Sequence, residues 1–180
     1  SRQRIAYLGP PGTFTEEAAI HYAPQGELLS FPSISAVATA VDSGMTEEGM
    51  VPIENSLQGS VTETLDLLIH ESPVAISHEL VLPIQHYLMA MAETIPADVR
   101  VIYSHPQALA QCRQFLERCF PKAELMASLS TTAAVEQVIS SQTVTAAIAT
   151  QRAATVYGMT ILARGIQDNP NNVTRFVVLA

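Results

Sequence analysis

The chain has 180 residues, 48% hydrophobic and 14% charged, with nine basic against seventeen acidic side chains and a formal net charge of −8. A chain of this size buries roughly 70% of its unfolded surface, enough for one domain or two small lobes with a true core, and so apolar a composition excludes disorder. The acidic balance excludes a basic nucleic-acid face and a polybasic membrane anchor, while leaving open a small anionic ligand held by local donors.

Arg4 to Leu8 reads as a short apolar strand, followed by the turn Gly9-Pro10-Pro11-Gly12. Thr13 or Thr15 can cap the helix that follows, with Glu16 and Glu17 in its first turn and Pro24 and Gly26 stopping it. Leu28 to Phe31 is a second strand. Ser33 or Ser35 caps a helix with Val37, Ala40 and Val41 on its apolar face, ended by Gly44. Gly49 to Ile53 is a third strand, closed by Glu54-Asn55-Ser56, and Val61, Leu65 and Leu68 then recur at helical spacing up to His70. Strand and helix alternate three times in seventy residues, which predicts a parallel sheet with covering helices.

Val74 to Ala92 is a long β-prone stretch broken at Pro83 and suits a crossing between two lobes. Beyond it, Val99 to Tyr103 predicts a strand, Gln107 to Cys119 a helix with Pro106 in its first turn, and Lys122 to Ala127 a strand. Ser130-Thr131-Thr132 caps a helix over Ala133 to Ile139. Thr145 to Ala149 is a strand, and Arg152 to Tyr157 a helix stopped by Gly158. Met159 to Ala163 and Val173 to Leu179 are the closing strands. The expected architecture is α/β, with one lobe of about 1–76 plus 160–180, a second of about 77–159, and a cleft between them. Small polar residues recur at strand ends, where open α/β sheets bind ligands.

Several chemistries fail on residue type. The single lysine, Lys122, is far from Gly9–Thr15, so that glycine-rich turn lacks the lysine a nucleotide P-loop requires, though a helix N-terminus beside Thr13 suits an anion. The five histidines and two cysteines show no paired metal-ligand spacing, so no metal is expected. Ser104-His105 lacks the surroundings of a hydrolase nucleophile, because neighbours on a strand point to opposite faces. Cys112 and Cys119 lie two helical turns apart and are expected as reduced, buried thiols. With no signal peptide and no apolar run long enough to span a bilayer, a cytoplasmic protein is expected. Ser1 is not an initiator, so either the chain is cut at this point or upstream residues are missing.

Two patterns ask for more than capping: Pro52-Ile53-Glu54-Asn55-Ser56, and Thr174-Arg175-Phe176. On a strand Thr174 and Phe176 share one face and Arg175 takes the other, and a hydroxyl beside an aromatic suits a pocket that holds a ring and donates to its substituent. At these positions the chain resembles the catalytic domain of prephenate dehydratases. The resemblance runs through Gly9–Ala19, Val51–Val61, Tyr103–Cys112, Ala146–Ala149 and Asn172–Phe176, in the family's order, over residues 5 to 179.

The resemblance implies loss of CO2 and water from prephenate to give phenylpyruvate, in phenylalanine biosynthesis, on a two-lobed fold like type II periplasmic binding proteins. It implies that Asn55, Ser56, Ser104, Gln111, Thr131 and Thr174 face the substrate, with Thr13, Ala147 and Phe176 close by. Aromatisation drives the reaction, so no cofactor is expected. What remains is help for the departing hydroxide. Thr174 is the expected donor, and Glu54 the fallback proton source if buried enough to stay protonated. Arg175 either binds the side-chain carboxylate or pairs with an acidic residue. The family's ACT regulatory domain and the chorismate mutase of some members find no room in 180 residues, so insensitivity to phenylalanine is expected. The family's habit implies a homodimer. Arogenate as substrate, and a non-catalytic binding module of the same fold, are the alternatives.

Overall fold

The structure is a computed structural model that describes residues 2–71 and 73–180. The chain divides into two units. The first holds the chain up to Pro10, Phe14–Ile84 and Asn171–Ala180, and the second holds Pro11–Thr13 and Gln85–Pro170.

The first unit opens with β1 (Arg4–Leu8), α1 (Phe14–Tyr22), β2 (Glu27–Phe31), α2 (Ile34–Asp42) and β3 (Glu48–Asn55). A two-residue β4 (Gly59–Ser60) leads to α3 (Thr62–Asp66), a π turn over Leu67–Glu71, and β5 (Ile76–Pro83). The second unit follows with β6 (Tyr87–Ala90), β7 (Val101–Ser104), α4 (Pro106–Gln111), α5 (Arg113–Cys119), β8 (Glu124–Ala127), α6 (Thr131–Ser140), β9 (Thr145–Ala149), α7 (Gln151–Tyr157) and β10 (Thr160–Arg164). The chain returns to the first unit as β11 (Val173–Leu179).

The first sheet has the order β2-β1-β3-β11-β5, with β4 beside β3. The three strands of the opening alternation are parallel as expected, but β11 runs antiparallel to both its neighbours, so the sheet is mixed. Strand alternation then divides the core in two. Ala6, Val51, Val177 and Leu179 pack with Val37 and Ala40 of α2 on one face, while Tyr7, Met50, Phe176 and Val178 pack with Ala18 and Ala19 of α1 on the other. A sheet buried on both faces reads as the continuous apolar runs seen in β1 and β11.

The second sheet, β10-β6-β9-β7-β8, is covered in the same way. Tyr87, Met89, Ala147 and Ala149 meet α6 and α7, while Leu88, Ala90, Ile102, Ala146 and Ile148 meet α4 and α5. Ser33 and Ser130 cap their helices as expected, accepting from the backbone N–H of Ala36 and Ala133 at 3.1 and 3.0 Å. Gly158 ends α7 in the left-handed conformation that glycine tolerates.

Tertiary pairing moves the expected boundaries. The long stretch after Val74 supplies β5 to the first sheet, so that unit extends to Ile84 rather than about 76. Thr160–Arg164, expected with the first lobe, pairs antiparallel with β6 and belongs to the second. The helix expected over Gln107 to Cys119 breaks at Cys112, whose φ of −115° and ψ of 19° are not helical. The break exists because the backbone carbonyl of Gln111 accepts from Asp168 N–H at 2.7 Å instead of continuing the helix.

The two thiols therefore differ. Cys112 is fully buried, and burial with the nearby Asp168 charge pushes its thiol up to about 12. Cys119, expected buried, is exposed at the end of α5, where the helix turns its last residue away from the core. A thiol-specific aromatic disulfide should titrate one cysteine per native chain and two after denaturation; two fast thiols in the native protein would contradict this packing.

Candidate functional site

The pairing of β3 with β11 contains one irregularity, and it decides which side chains meet. Val177 opposes Val51 and Phe176 opposes Pro52, but Arg175 opposes Glu54 and Thr174 opposes Asn55. Ile53 is an extra residue on β3, a β-bulge. Without it Thr174 would face Glu54. With it, the parity of β3 flips and Asn55 comes alongside Thr174.

Asn55 is then fully engaged. Its side-chain carbonyl accepts from the backbone N–H groups of Leu57 and Gln58 at 2.9 and 3.1 Å, which holds the loop from Ser56 to Gln58 in an Asx turn. Its amide nitrogen donates to the backbone carbonyl of Val173 at 3.2 Å and to Thr174 Oγ1 at 2.7 Å. A threonine hydroxyl has one proton and two acceptor sites. Asn55 occupies an acceptor site, and among the described residues nothing accepts the Thr174 proton. Thr174 itself is 8% exposed. The arrangement is a fixed hydroxyl whose oxygen is held from behind and whose proton is available.

Neighbouring residues have different places. Ser56 Oγ donates to Asn172 Oδ1 and accepts from Val173 N–H, both at 3.0 Å, so its hydroxyl ties the β3–β4 loop to the start of β11. Phe176 shares the face of Thr174 as expected, but it is 1% exposed and packs with Tyr7 and Met50 in the core. Arg175, on the opposite face, meets Glu79 at 3.2 Å and Glu54 at 3.9 Å. The Glu54 side chain is 55% exposed, so the burial on which its role as a protonated acid depended is not met.

In the second unit Ser104, Thr131 and Gln111 sit at strand or helix ends, Ala147 in the middle of a strand and Thr13 in a turn. Ser104, at the end of β7, is buried and donates to its neighbour's carbonyl, that of His105, at 2.9 Å. Thr131 opens α6. Ala147 is fully buried in β9 against the α6–α7 layer. Thr13 follows Gly12, whose φ of +89° and close approach to Ala153 exclude a side chain. The carbonyl of Gly12 accepts from Thr150 Oγ1 at 2.5 Å, which anchors the turn to the start of α7. Gln111 is the last residue of α4, and its side-chain Oε1 lies 2.7 Å from Nε2 of the buried His86. Burial keeps His86 below the usual imidazole range. An apolar groove of about 520 Å3, lined by Leu109, Leu116, Phe120 and Leu125 among others, involves none of the expected site residues.

A sequence model of the prephenate dehydratase family matches residues 5–180. The chain belongs to the prephenate dehydratase family. It is 40% identical over 177 residues to a prephenate dehydratase of Lactococcus lactis, covering 98% of this chain and 63% of the relative. It is 39% identical to arogenate dehydratase 5 of Arabidopsis thaliana, a chloroplastic protein, covering 100% of this chain and 42% of that one. Among solved structures, a prephenate dehydratase from Arthrobacter aurescens in complex with L-Phe superposes with a TM-score of 0.87 at 33% identity, covering 98% of this chain and 60% of that one. The chain thus spans less than two thirds of each of these relatives.

Two residues outside the expected set bond to members of it, one within each unit. Asn172, which opens the matched stretch just before β11, is 2% exposed, and its side chain receives Ser56. His86 is buried, and its ring meets Gln111. The apolar residues flanking His86 were the available signal, since a histidine in such a run is buried and must find a partner. Ser56→Ala should lower stability by roughly 1–2 kcal/mol in urea unfolding, because it removes both hydrogen bonds to the β11 entry. Unchanged stability would mean the loop is not held there.

Proposed function

We propose that this chain is a lyase that converts prephenate to phenylpyruvate. The bond from the ring to its carboxylate breaks and CO2 departs. Those electrons become part of the aromatic ring, and the ring C–O bond breaks with its pair on oxygen. That oxygen needs a proton to leave as water, so one proton is consumed overall.

The reading is carried by the Thr174 hydroxyl, held by Asn55 with its proton free, in a chain of this family. Thr174 is a poor acid, so its role is to donate a hydrogen bond to the leaving oxygen as negative charge grows there. Asn55 serves by keeping the oxygen of Thr174 an acceptor. For the carboxylate that stays, the proposal relies on uncharged donors, namely Thr13, Gln111, Thr131 and the opening turn of α6, with Ser104 close by and its own proton given to the His105 carbonyl. The carboxylate that departs is best held loosely, since tight ground-state binding would oppose its loss. The reading includes a homodimer in the cytoplasm. Among the described residues no helix is long and apolar enough to cross a membrane.

Arogenate, with an amine in place of the keto group, is the second reading, favoured by the 39% identity to the Arabidopsis arogenate dehydratase. Rates on both compounds separate the two readings, with phenylpyruvate read by its ultraviolet absorbance in alkali. Binding without turnover of either compound would leave a binding module. Thr174→Val should lower kcat by about 100-fold or more with a small change in KM, and Thr174→Ser should retain much of the activity. A valine variant as active as the parent would remove Thr174 from the chemistry.

A further inference from the structure

His86 lies between β5 and β6 and is held on every side that the hydrogen bonds define. Its backbone N–H donates to Gln167 Oε1 at 2.9 Å, and its carbonyl accepts from Ile166 N–H at 3.1 Å. Its ring Nε2 is 2.7 Å from Gln111 Oε1. Gln111 is pinned at its backbone too: its carbonyl takes the Asp168 N–H, and the Asp168 carboxylate accepts from Gln114 N–H at 3.1 Å in the first turn of α5. One loop thus sets both the helix break and the start of the next helix.

We propose that His86 is a positioning residue that fixes the polarity of the Gln111 amide, presenting its NH2 to an anionic oxygen of the substrate. An unrestrained glutamine amide can present either its oxygen or its nitrogen, and an exposed oxygen would repel a carboxylate. A donor on the ring at Nε2 captures the amide oxygen and leaves the two amide protons facing outward. Among the described residues those protons have no acceptor. Burial disfavours the charged imidazolium, and of the two neutral tautomers the one protonated on Nε2 is the one that can donate to Gln111 Oε1. The inference rests on the dehydratase reading for its substrate, and on geometry alone for the His86–Gln111 bond.

The test is a double-mutant cycle in the 180-residue chain, with prephenate as the probe. His86→Met should raise KM about 10-fold or more while changing kcat less than about 3-fold, as expected for lost substrate binding. His86→Gln, which keeps a donor at the position of Nε2, should recover most of the affinity. With Gln111→Leu already present, adding His86→Met should change KM less than about 2-fold, because the two act as one unit. Additive effects, or an intact KM in His86→Met beside an impaired Gln111→Leu, would overturn the proposal. Nitrogen-15 NMR of the imidazole provides a readout independent of activity. The Nε2-protonated neutral tautomer is expected in the parent, with a changed signal in Gln111→Leu; a proton on Nδ1 alone would overturn the assignment even if His86→Met failed to fold. A parent chain that turns over neither prephenate nor arogenate overturns the dehydratase reading and the role of the pair in turnover, and the NMR signal then reports separately on the bond.

Discussion

A single hydrogen bond, from Asn55 Nδ2 to Thr174 Oγ1, organises the first unit's polar end, and it exists only because β3 carries one residue more than its partner. The bulge at Ile53 converts a strand that would have set a carboxylate beside the threonine into one that sets an amide there. The difference is chemical. A carboxylate is an acceptor and would take the hydroxyl proton, whereas an amide N–H donates and leaves that proton for another acceptor. The Asx turn of Asn55 and the Ser56–Asn172 link restrain the same loop, so the amide cannot easily rotate away.

The second unit meets a related problem with a buried imidazole. Side-chain amides are ambiguous donors, and each unit settles the ambiguity with a protein partner: the Leu57 and Gln58 backbone for Asn55, the His86 ring for Gln111. In a chain with one lysine and a charge of −8, such oriented neutral donors are a means of meeting an anion without a fixed cation. The basic residue within the matched motifs, Arg175, is engaged by Glu79 and Glu54 on the opposite face of β11. Exposed pairs of that kind add little stability.

Much of the fold was legible because strand and helix periods are local properties. The three opening strand–helix pairs, the serine caps at Ser33 and Ser130 and the stop at Gly158 all follow from neighbours in sequence. The motifs singled out Thr174 and Asn55 as candidates, but not the hydrogen bond between them. The sharing of the Thr174–Phe176 face was also legible, but its depth was not: Phe176 is sealed in the core by Tyr7 and Met50, far from it in sequence. The exposure of Glu54, the exposure of Cys119 and the break at Cys112 were missed for the same reason.

By itself, the amino-acid order determined the α/β class, the elements and the family, since apolar periodicity, caps and matched motifs are written in contiguous residues. Tertiary structure decided the rest. It assigned β5 and β10 to their sheets, placed the bulge that joins Asn55 to Thr174, and brought Asp168 and His86 to Gln111. Each of these depends on hydrogen bonds between segments tens of residues apart, and the pairing partner of a backbone or side-chain donor is chosen by the packed chain, not by its neighbours in sequence.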